Sequence, residues 1–226
     1  MAKTLSTIRS DSYNLIDEVE GNSHVNADQM NGFINEAIQK IAVKVHQPRK
    51  FDSGTQVAQD DADYDAPSDF LYLVGAYFGD EEIANDKVPL KIVRESGLKY
   101  MNPGWLDRTD ASQGRPDKLI FVDRNTFMLD PRPNAAESAS GKKLWLYYAY
   151  LPATLSSDSG NPDLPDAYHD TIKYYAAYLA YLGKLNNPIM AASCLKIFEN
   201  ELEDRAESAD KEAEELMAFQ FGYEDE

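Results

Sequence analysis

The side chains best suited to chemistry in this chain are three histidines and one cysteine. No two of His24, His46 and His169 have the helical spacing of three or four residues at which a histidine pair binds one metal ion. We therefore interpret them as exposed or helix-capping residues. Cys194 lies in a predicted amphipathic helix without the neighbouring charges that activate a thiol, which favours a buried structural cysteine.

Four aspartates form the most metal-like cluster in the sequence: Asp60, Asp61, Asp63 and Asp65. Counted from Asp61, three of them match the first, third and fifth positions of an EF-hand calcium loop. The match fails where the loop is most demanding, because Ala66 replaces the turn glycine and Tyr72 replaces the bidentate glutamate. We favour a solvated acidic loop over a calcium site.

Motifs typical of enzymes do not occur in the sequence, which has neither a Gly-rich phosphate loop nor a nucleophile elbow. Acidic residues are plentiful, but most lie in predicted loops or near the C-terminus, and nothing singles out a catalytic pair. We predict that the protein is not an enzyme and has no catalytic, cofactor-binding or metal-binding residues. The alternative is a glycan hydrolase that works through two carboxylates.

The charge balance disfavours two classes of partner. The 226 residues include 39 acidic and 22 basic residues, which gives a formal net charge of −17. Clustered Lys and Arg are needed to neutralise phosphates, so a broad DNA-binding surface and a surface for anionic membranes are both disfavoured. The longest apolar runs, Leu144–Leu151 and Tyr174–Leu182, are too short to cross a bilayer, and no signal peptide is visible. These features predict a protein that is assembled in a cytosol.

Most of the charge lies at the C-terminal end. Residues 199–226 include twelve acidic and two basic residues, a net charge of −10. A solvated helix with a frayed acidic end would have this composition. Such an end has no use for Phe219, Phe221 and Tyr223, so we favour a docking arm that becomes ordered against a partner.

Two helices are predicted in the N-terminal part of the chain. Apolar residues between Leu5 and Val19 fall on one helical face. Asn26 and Gln29 have the spacing of a capping box, and a second apolar stripe follows them until Pro48. A short loop between the two helices makes an antiparallel hairpin the expected arrangement.

Two more helices are predicted after Pro165. The third ends at Gly183, and the fourth begins near Pro188 and continues towards Met217. A heptad pattern follows the fourth helix through Leu195, Leu202, Ala209 and Leu216. Alanines replace large residues after Leu202, so the distal part of this helix needs a partner to bury its surface.

A β subdomain is predicted between the two helical segments. Five strands are predicted at Phe70–Phe78, Val88–Val93, Lys118–Asp123, Thr126–Asp130 and Leu144–Tyr150. The third and fourth of these form a hairpin. We predict a loop from Asp52 to Asp69 and a short helical turn over Arg94–Met101.

Together these elements predict an α+β fold. It consists of an antiparallel four-helix bundle with an inserted small, mainly antiparallel β subdomain and a long C-terminal helix. The bundle domain would comprise residues 1–50 and 156–226, with the arm at about 199–226, and the β subdomain residues 51–155.

The residues predicted to bind a partner lie on the third helix and in the arm. Tyr174, Tyr178 and Tyr181 lie on a face opposite the aliphatic one, and tyrosine suits interfaces because it is apolar with one polar end. Packing in the bundle core is an equally good interpretation of this face. The arm residues are Leu202, Ala209, Leu216, Phe219, Phe221 and Tyr223.

In its layout and in five short motifs, the chain resembles the head–tail adaptor (connector) proteins of tailed bacteriophages. The motifs are Thr4–Arg9; Ile34–Ala42; Tyr64-x-x-Pro67-x-Asp69-Phe70; Gly114-x-Pro116 with Ile120-Phe121 and Phe127-Met-Leu-Asp-Pro131; and Tyr150-Leu-Pro152-x-x-Leu155 with Pro162-x-Leu164-Pro165-x-x-Tyr168 and Tyr174-Tyr175-Ala176-Ala177.

The resemblance implies a structural protein of the virion, located at the head–tail junction after assembly in the host cytoplasm. It implies a ring of twelve subunits beneath the portal protein, with tail or nozzle proteins as further partners. DNA would pass through the ring without specific binding, since an acidic lumen repels phosphates. It also implies that C-terminal segments dock on the portal, a role that the acidic arm suits. The remaining alternative is an acidic chaperone or DNA mimic.

Overall fold

A computed structural model describes residues 2–20, 24–45, 48–59, 63–80, 86–94, 113–123, 125–138 and 142–221, without the side chains of 206–221. The chain divides into two compact units. The helical unit comprises Met1–Pro48 and Leu151–Glu226, and the β unit comprises Arg49–Tyr150.

The helical unit has four α-helices in its described part. They are α1 (Leu5–Leu15), α2 (Ala27–Val45), α3 (His169–Gly183) and α4 (Pro188–Phe221), with a 3-10 turn at Asp166–Tyr168 before α3. The capping box that the sequence predicts for α2 is confirmed. Asn26 Oδ1 accepts a hydrogen bond from the Gln29 backbone N–H at 2.9 Å, and Gln29 Oε1 accepts one from the Asn26 N–H at 3.2 Å.

The antiparallel four-helix bundle is wrong, although the α+β class is correct. α3 lies at the centre and packs against α1, α2 and α4, whereas α4 packs mainly against α3 and the 3-10 turn. The buried positions of α3 cover most of its circumference: His169, Thr171, Ile172, Tyr175, Ala176, Ala177, Ala180 and Tyr181. The three alanines of α3 let the neighbouring helices approach closely. The helix α1 has only 11 residues and is too short to form one side of a bundle.

The apolar pattern of α2 is confirmed, because Met30, Ile34 and Ile41 are fully buried. The pattern misleads at two helix ends. Val19 lies beyond the end of α1 and is 72% exposed, and Leu182 in the last turn of α3 is 52% exposed. A periodic pattern therefore identifies the buried face but not the residue at which a helix ends.

The β unit has more strands than the sequence indicates. Its described part contains β1 (Arg49–Phe51), β2 (Thr55–Gln56), β3 (Asp63–Asp65), β4 (Phe70–Asp80), β5 (Val88–Pro89), β6 (Lys91–Arg94), β7 (Gln113–Gly114), β8 (Lys118–Phe121), β9 (Thr126–Asp130), β10 (Arg132–Pro133) and β11 (Lys142–Tyr150). The loop prediction for Asp52 to Asp69 is wrong, since β2 and β3 lie within it. The helical turn predicted over Arg94–Met101 falls almost entirely outside the described residues.

The strands form three sheets. In the five-stranded sheet the order is β1–β11–β4–β5, with β2 also paired to β11, and every pairing is antiparallel. The four-stranded sheet has the order β3–β9–β8–β6, in which the predicted hairpin of β8 and β9 is confirmed and β6 runs parallel to β8. The third sheet is the parallel pair of β7 and β10. The unit is therefore mainly antiparallel but not wholly so.

The two larger sheets share one buried core. Phe78, Leu144 and Tyr148 from the five-stranded sheet and Leu119 and Phe127 from the four-stranded sheet belong to the same buried cluster. Leu144, Leu146 and Tyr148, which are alternate residues of β11, belong to this core, and Trp145 and Ala149 between and beyond them are buried outside it. The opposite face of the five-stranded sheet is therefore directed away from this core.

Candidate functional site

Leu202 is the last arm residue whose side chain the structure describes as part of the core. With Ala191, Cys194 and Phe198 it forms the buried stripe of α4, and it is 1% exposed. Arg205, one turn later, donates hydrogen bonds to the Ala167 carbonyl and to the Glu201 carboxylate. Residues up to Arg205 therefore belong to the folded body of the helical unit.

The remaining predicted arm residues lie further along the chain. Ala209, Leu216, Phe219 and Phe221 are within α4, which continues to Phe221, but their side chains are outside the described part. Tyr223 is outside the described residues. The structure therefore does not bring these residues together into a described surface.

The three predicted tyrosines of α3 have different environments. Tyr181 is buried and its hydroxyl donates a hydrogen bond to the Leu15 carbonyl at 3.3 Å, so this side chain belongs to the core. Tyr174 and Tyr178 are half-buried at the edge of the core. Tyr174, with Asp11 and Lys173, lines a surface cavity of about 300 Å³. Of the predicted tyrosine face, only Tyr174 and Tyr178 retain surface for a partner.

Arg9, the last residue of the Thr4–Arg9 motif, has no functional role predicted from the sequence, although its position is informative. It lies four residues after Leu5, on the face of α1 that is buried, and its side chain is 9% exposed. The guanidinium donates hydrogen bonds to Asp158 at 2.7 Å and to Asn31 at 3.1 Å, and its Nε lies 3.1 Å from a Glu20 carboxylate oxygen. The hydrogen bond from Arg9, with its charge, lowers the pKa of Asp158. Arg9 thus joins α1 to α2 and to the segment that precedes α3.

Asn35 joins the same segment to α2. Its side-chain oxygen accepts a hydrogen bond from the Leu155 N–H at 2.7 Å, and its Nδ2 donates one to the Leu155 carbonyl at 3.1 Å. Asn35 and Leu155 come from two of the motifs that carry the family resemblance, as Arg9 does. In the structure these motif residues position the backbone around residues 155–158.

His169 is buried, which corrects its interpretation as an exposed or capping residue. Its Nδ1 accepts a hydrogen bond from the Lys3 N–H, so the ring proton is on Nε2, which donates to the Leu164 carbonyl, both at 3.0 Å. The Lys3 ammonium contacts Asp11 and Asp170 at 2.5 Å each. Although burial opposes it, these two carboxylates raise the pKa of Lys3. The neutral imidazole therefore acts as a structural link to the N-terminal segment.

The other candidate residues for chemistry form no site in the described part of the chain, which leaves out Asp60 and Asp61 of the acidic cluster. His24 is exposed, with Nδ1 2.8 Å from Glu18, and His46 is outside the described residues. Cys194 is buried, as predicted, and burial raises the pKa of its thiol. Of the acidic cluster, Asp63 and Asp65 are exposed residues of β3. Across the described ranges, His, Cys, Asp and Glu side chains nowhere form a group of three or more that could hold a metal ion.

A partly buried polar cluster at one end of the β unit also includes a motif residue, Asp69. Asp69 accepts hydrogen bonds from the Tyr148 hydroxyl at 2.9 Å and from the Lys50 ammonium at 2.6 Å, and Lys50 lies over the Tyr150 ring at 4.2 Å. Burial and the adjacent Asp69 carboxylate raise the pKa of Tyr148 far above its usual range. Each polar atom has a partner, so the cluster is structural.

None of the described helices has both the length and the apolar composition of a membrane span.

The sequence matches the model of a known protein family over most of its length. The family model described as SU10 adaptor protein matches residues 4–217, which is nearly the whole chain. No curated protein matches the chain.

Proposed function

Because this chain belongs to the SU10 adaptor protein family, a family of phage head–tail adaptors, we propose that it forms a ring that connects the portal to the tail. The membership makes it a structural protein of the phage head–tail region, and a structural role agrees with the prediction that it is not an enzyme. The ring would contain twelve copies and extend the DNA channel after packaging. The family match over residues 4–217 is the observation that carries this proposal.

The charge of the chain supports a channel through which DNA slides. A protein that surrounds a moving genome must not bind phosphates tightly, and a net charge of −17 opposes such binding. Screening by salt limits this repulsion to about 10 Å, so it acts on a duplex that comes close to the wall. The acidic composition therefore fits a conduit better than a DNA-binding protein.

The distal part of α4 is the proposed docking arm for the portal protein. The core stripe of α4 ends at Leu202, and the helix continues for 16 residues beyond Arg205, or about 24 Å. This segment and the residues after it contain the proposed contacts Ala209, Leu216, Phe219, Phe221 and Tyr223. Tyr174 and Tyr178 are proposed as further contacts, because both are half-buried.

Truncation after Arg205 tests the docking arm. The shortened chain retains Leu202 and Arg205, so we expect it to fold like the full chain and to lose binding to purified portal protein, measured by native mass spectrometry. A full-length variant with Phe219→Ser and Phe221→Ser keeps the length and charge of the arm but removes two of the proposed contacts, so it should also lose portal binding. Undiminished portal binding by the truncated chain would refute the docking role.

The ring itself is tested by electron cryomicroscopy of purified particles. We expect one ring of this chain between the portal and the tail. Absence of the chain from particles that contain packaged DNA would refute the proposed function as a whole.

A further inference from the structure

The first half of α4 has an exposed apolar face on the side opposite its buried stripe. Ile189 is 78% exposed, and Met190 and Ile197 are each 41% exposed. At 3.6 residues per turn, these three side chains and the exposed Ser193 lie within about 100° of the helix circumference. We call these four residues the outer face of α4. Single exposed apolar residues are ordinary on a protein surface, but a group on one helix face indicates contact with another molecule.

Basic residues border the outer face of α4. Residues 171–198, which comprise most of α3 and the first half of α4, include three lysines and no acidic residue, a net charge of +3 in a chain of −17. Two of these lysines, Lys184 and Lys196, are exposed. A second copy of the same face would bring like charges together, so the outer face of α4 is unsuited to a symmetric contact with itself.

The N-terminal half of α2 and the segment before it have the opposite charge. Residues 10–39 include six acidic residues and no Lys or Arg. Asp28 and Glu36 are exposed on one side of α2, two turns apart, with Gly32 between them. Nothing lies within 4 Å of the position that a Gly32 Cβ would occupy, so another helix has room to approach α2 at this point.

The same region has an exposed apolar side chain. Val19 is 72% exposed, and the adjacent Glu20 forms an ion pair with Arg9. Arg9 also donates a hydrogen bond to Asn31, which places Glu20 next to the N-terminal half of α2. We call the following residues the acidic face of the helical unit: Val19, Glu20, Asp28, Gly32 and Glu36.

The outer face of α4 and the acidic face lie on different sides of the helical unit. The helix α3 packs against α1 and α2 and also against α4, whereas α4 packs mainly against α3 and the 3-10 turn before it. Two different, complementary faces let each copy bind the next one head to tail, and such contacts close into a ring when the rotation fits. A contact between two identical faces would give a dimer instead.

We propose that the outer face of α4 in one copy docks on the acidic face of a second copy, and that this contact joins neighbouring subunits of the ring. The inference rests on the proposed function, which requires a ring, and it leaves the distal part of α4 for the portal. The apolar side chains supply contact area at the centre, and Lys184 and Lys196 lie opposite carboxylates at the rim. The opposite charges of the two faces favour this pairing over contact between like faces.

Photo-cross-linking in assembled particles tests which molecule covers the outer face of α4. The photoreactive analogue p-benzoylphenylalanine is introduced at Ile189 or Ile197 of the full chain, and at Ile92 as the matched control. Ile92 is an exposed apolar residue of the β unit, 42% exposed, and lies on β6. We expect positions 189 and 197 to cross-link to residues 17–39 of a second copy, located by mass spectrometry of the digested product, and position 92 not to do so.

The other cross-linking outcomes overturn the proposal. Cross-links from positions 189 and 197 to the portal, to a tail protein or to α4 of a second copy would each assign the face to a different occupant. Particles that contain the chain but yield no cross-link would overturn this inference alone. Absence of the chain from particles would refute the proposed function and this inference with it, so the two failures are distinguished.

Exchange of charge between the two faces tests the chemistry of the contact. We expect Lys184→Glu with Lys196→Glu to reduce the number of copies per particle by about tenfold or more, and Asp28→Lys with Glu36→Lys to do the same. All four substitutions in one chain restore opposite charges across the contact, so incorporation should return to at least about half of the native level. All four side chains are exposed, and circular dichroism verifies that each variant is folded.

Lys40→Glu with Lys44→Glu is the matched control for the reversed α4 face. It makes the same change in net charge at exposed positions of α2 beyond the acidic face, and it should leave incorporation within about twofold of the native level. Full incorporation of the chain with the reversed α4 face would overturn the proposal. Failure of the fourfold variant to recover would overturn it as well, because the two faces would then not meet.

Discussion

Arg9 shows how a single charged residue organises the helical unit. It is 7% exposed, and its guanidinium contacts three polar residues from separate segments: Asp158, Asn31 and Glu20. A buried charge needs ion pairs and hydrogen bonds, and Arg9 has ion pairs with Asp158 and Glu20 and hydrogen bonds to Asp158 and Asn31, although its buried Nε makes no hydrogen bond. Its place in the first family motif is therefore explained by structure and does not require a role in partner binding.

Replacement of Arg9 by methionine should destabilise the helical unit. We expect Arg9→Met to lower the free energy of unfolding by about 2 kcal/mol, the usual value of hydrogen bonds to a charged group. Urea denaturation measures this loss. Arg205→Met, which removes an i,i+4 surface ion pair and the bond to Ala167, is the control and should cost less than Arg9→Met. Equal losses would contradict a special role for Arg9.

The effect of Arg9→Met should depend on pH. Arg9 holds the pKa of Asp158 below its unfolded value, so this pair stabilises the fold above the ordinary pKa of aspartate and stops doing so as the pH falls. The stability difference between the native chain and Arg9→Met should therefore shrink between about pH 6 and about pH 2. A difference that stays constant over this range would show that Asp158 is not the partner that matters.

Two glycines should respond to alanine in opposite directions. Gly54 has a φ of +77°, and a Cβ there would lie 2.8 Å from the Lys143 side chain and 3.1 Å from the Trp145 ring, so Gly54→Ala should cost about 1–2 kcal/mol. Gly32 is exposed within α2 with nothing near its missing Cβ, so Gly32→Ala should stabilise by about 0.5–1 kcal/mol. Thermal denaturation of both variants measures the contrast, and a change of the same sign in both would contradict it.

The long helix α4 has a buried half and an acidic half. Leu202 is the last residue of the described core stripe. It lies inside the arm that the composition predicts, because that arm begins at about residue 199. Composition locates the acidic run but cannot show that a leucine inside it packs against the core. A truncation after Glu199 would therefore remove Leu202 and Arg205 and damage the fold as well as the arm.

Leu202→Ala should destabilise the helical unit by about 2–4 kcal/mol, because it leaves a cavity at a position that is 1% exposed. Ile197→Ala on the exposed side of the same helix, where the side chain is 41% exposed, should cost less than about 1 kcal/mol. Urea denaturation compares the two. Similar small losses would show that α4 contributes little beyond Phe198.

Elements with a strong local signal were predicted from the sequence, and those without one were not. The capping box of α2 and the hairpin of β8 and β9 depend on neighbouring residues, so residue types alone identified them. The strands β1 and β2 were missed because all their residues are exposed and show no alternation of apolar and polar side chains. Their pairing with β11 depends on contacts that are distant in the sequence.

The packing of the helices against one another is the part of the fold that the sequence does not predict. A 3.6-residue pattern shows which face of a helix is buried but not which element covers it. The central place of α3 follows from the small side chains of Ala176, Ala177 and Ala180, whose burial on more than one side of the helix a single apolar face does not predict. The candidate site was limited in the same way, because the position of Tyr181 within the core depends on Leu15, far away in the sequence.

The helical unit should fold without the β unit. Arg49 lies directly opposite Ala149 in the antiparallel pair of β1 and β11, so the chain leaves and re-enters the helical unit at points about 5 Å apart. Replacement of Arg49–Tyr150 by a short Gly/Ser linker should give a helical protein that unfolds cooperatively, as measured by circular dichroism. A chain without cooperative unfolding would show that the helical core depends on the β unit.

The same strand pair determines how the β unit would respond to mechanical load. Tension applied through residues 48 and 151 acts on adjacent ends of β1 and β11. It pulls these two strands apart across the hydrogen bonds that join them. The hydrogen bonds therefore break one after another instead of bearing the force together. Arg49 and Ala149 would separate first, followed by Lys50 and Tyr148 and then Phe51 and Tyr147. At the end of the β unit where the chain enters and leaves it, β1 and β11 are therefore loaded in the geometry that yields at low force.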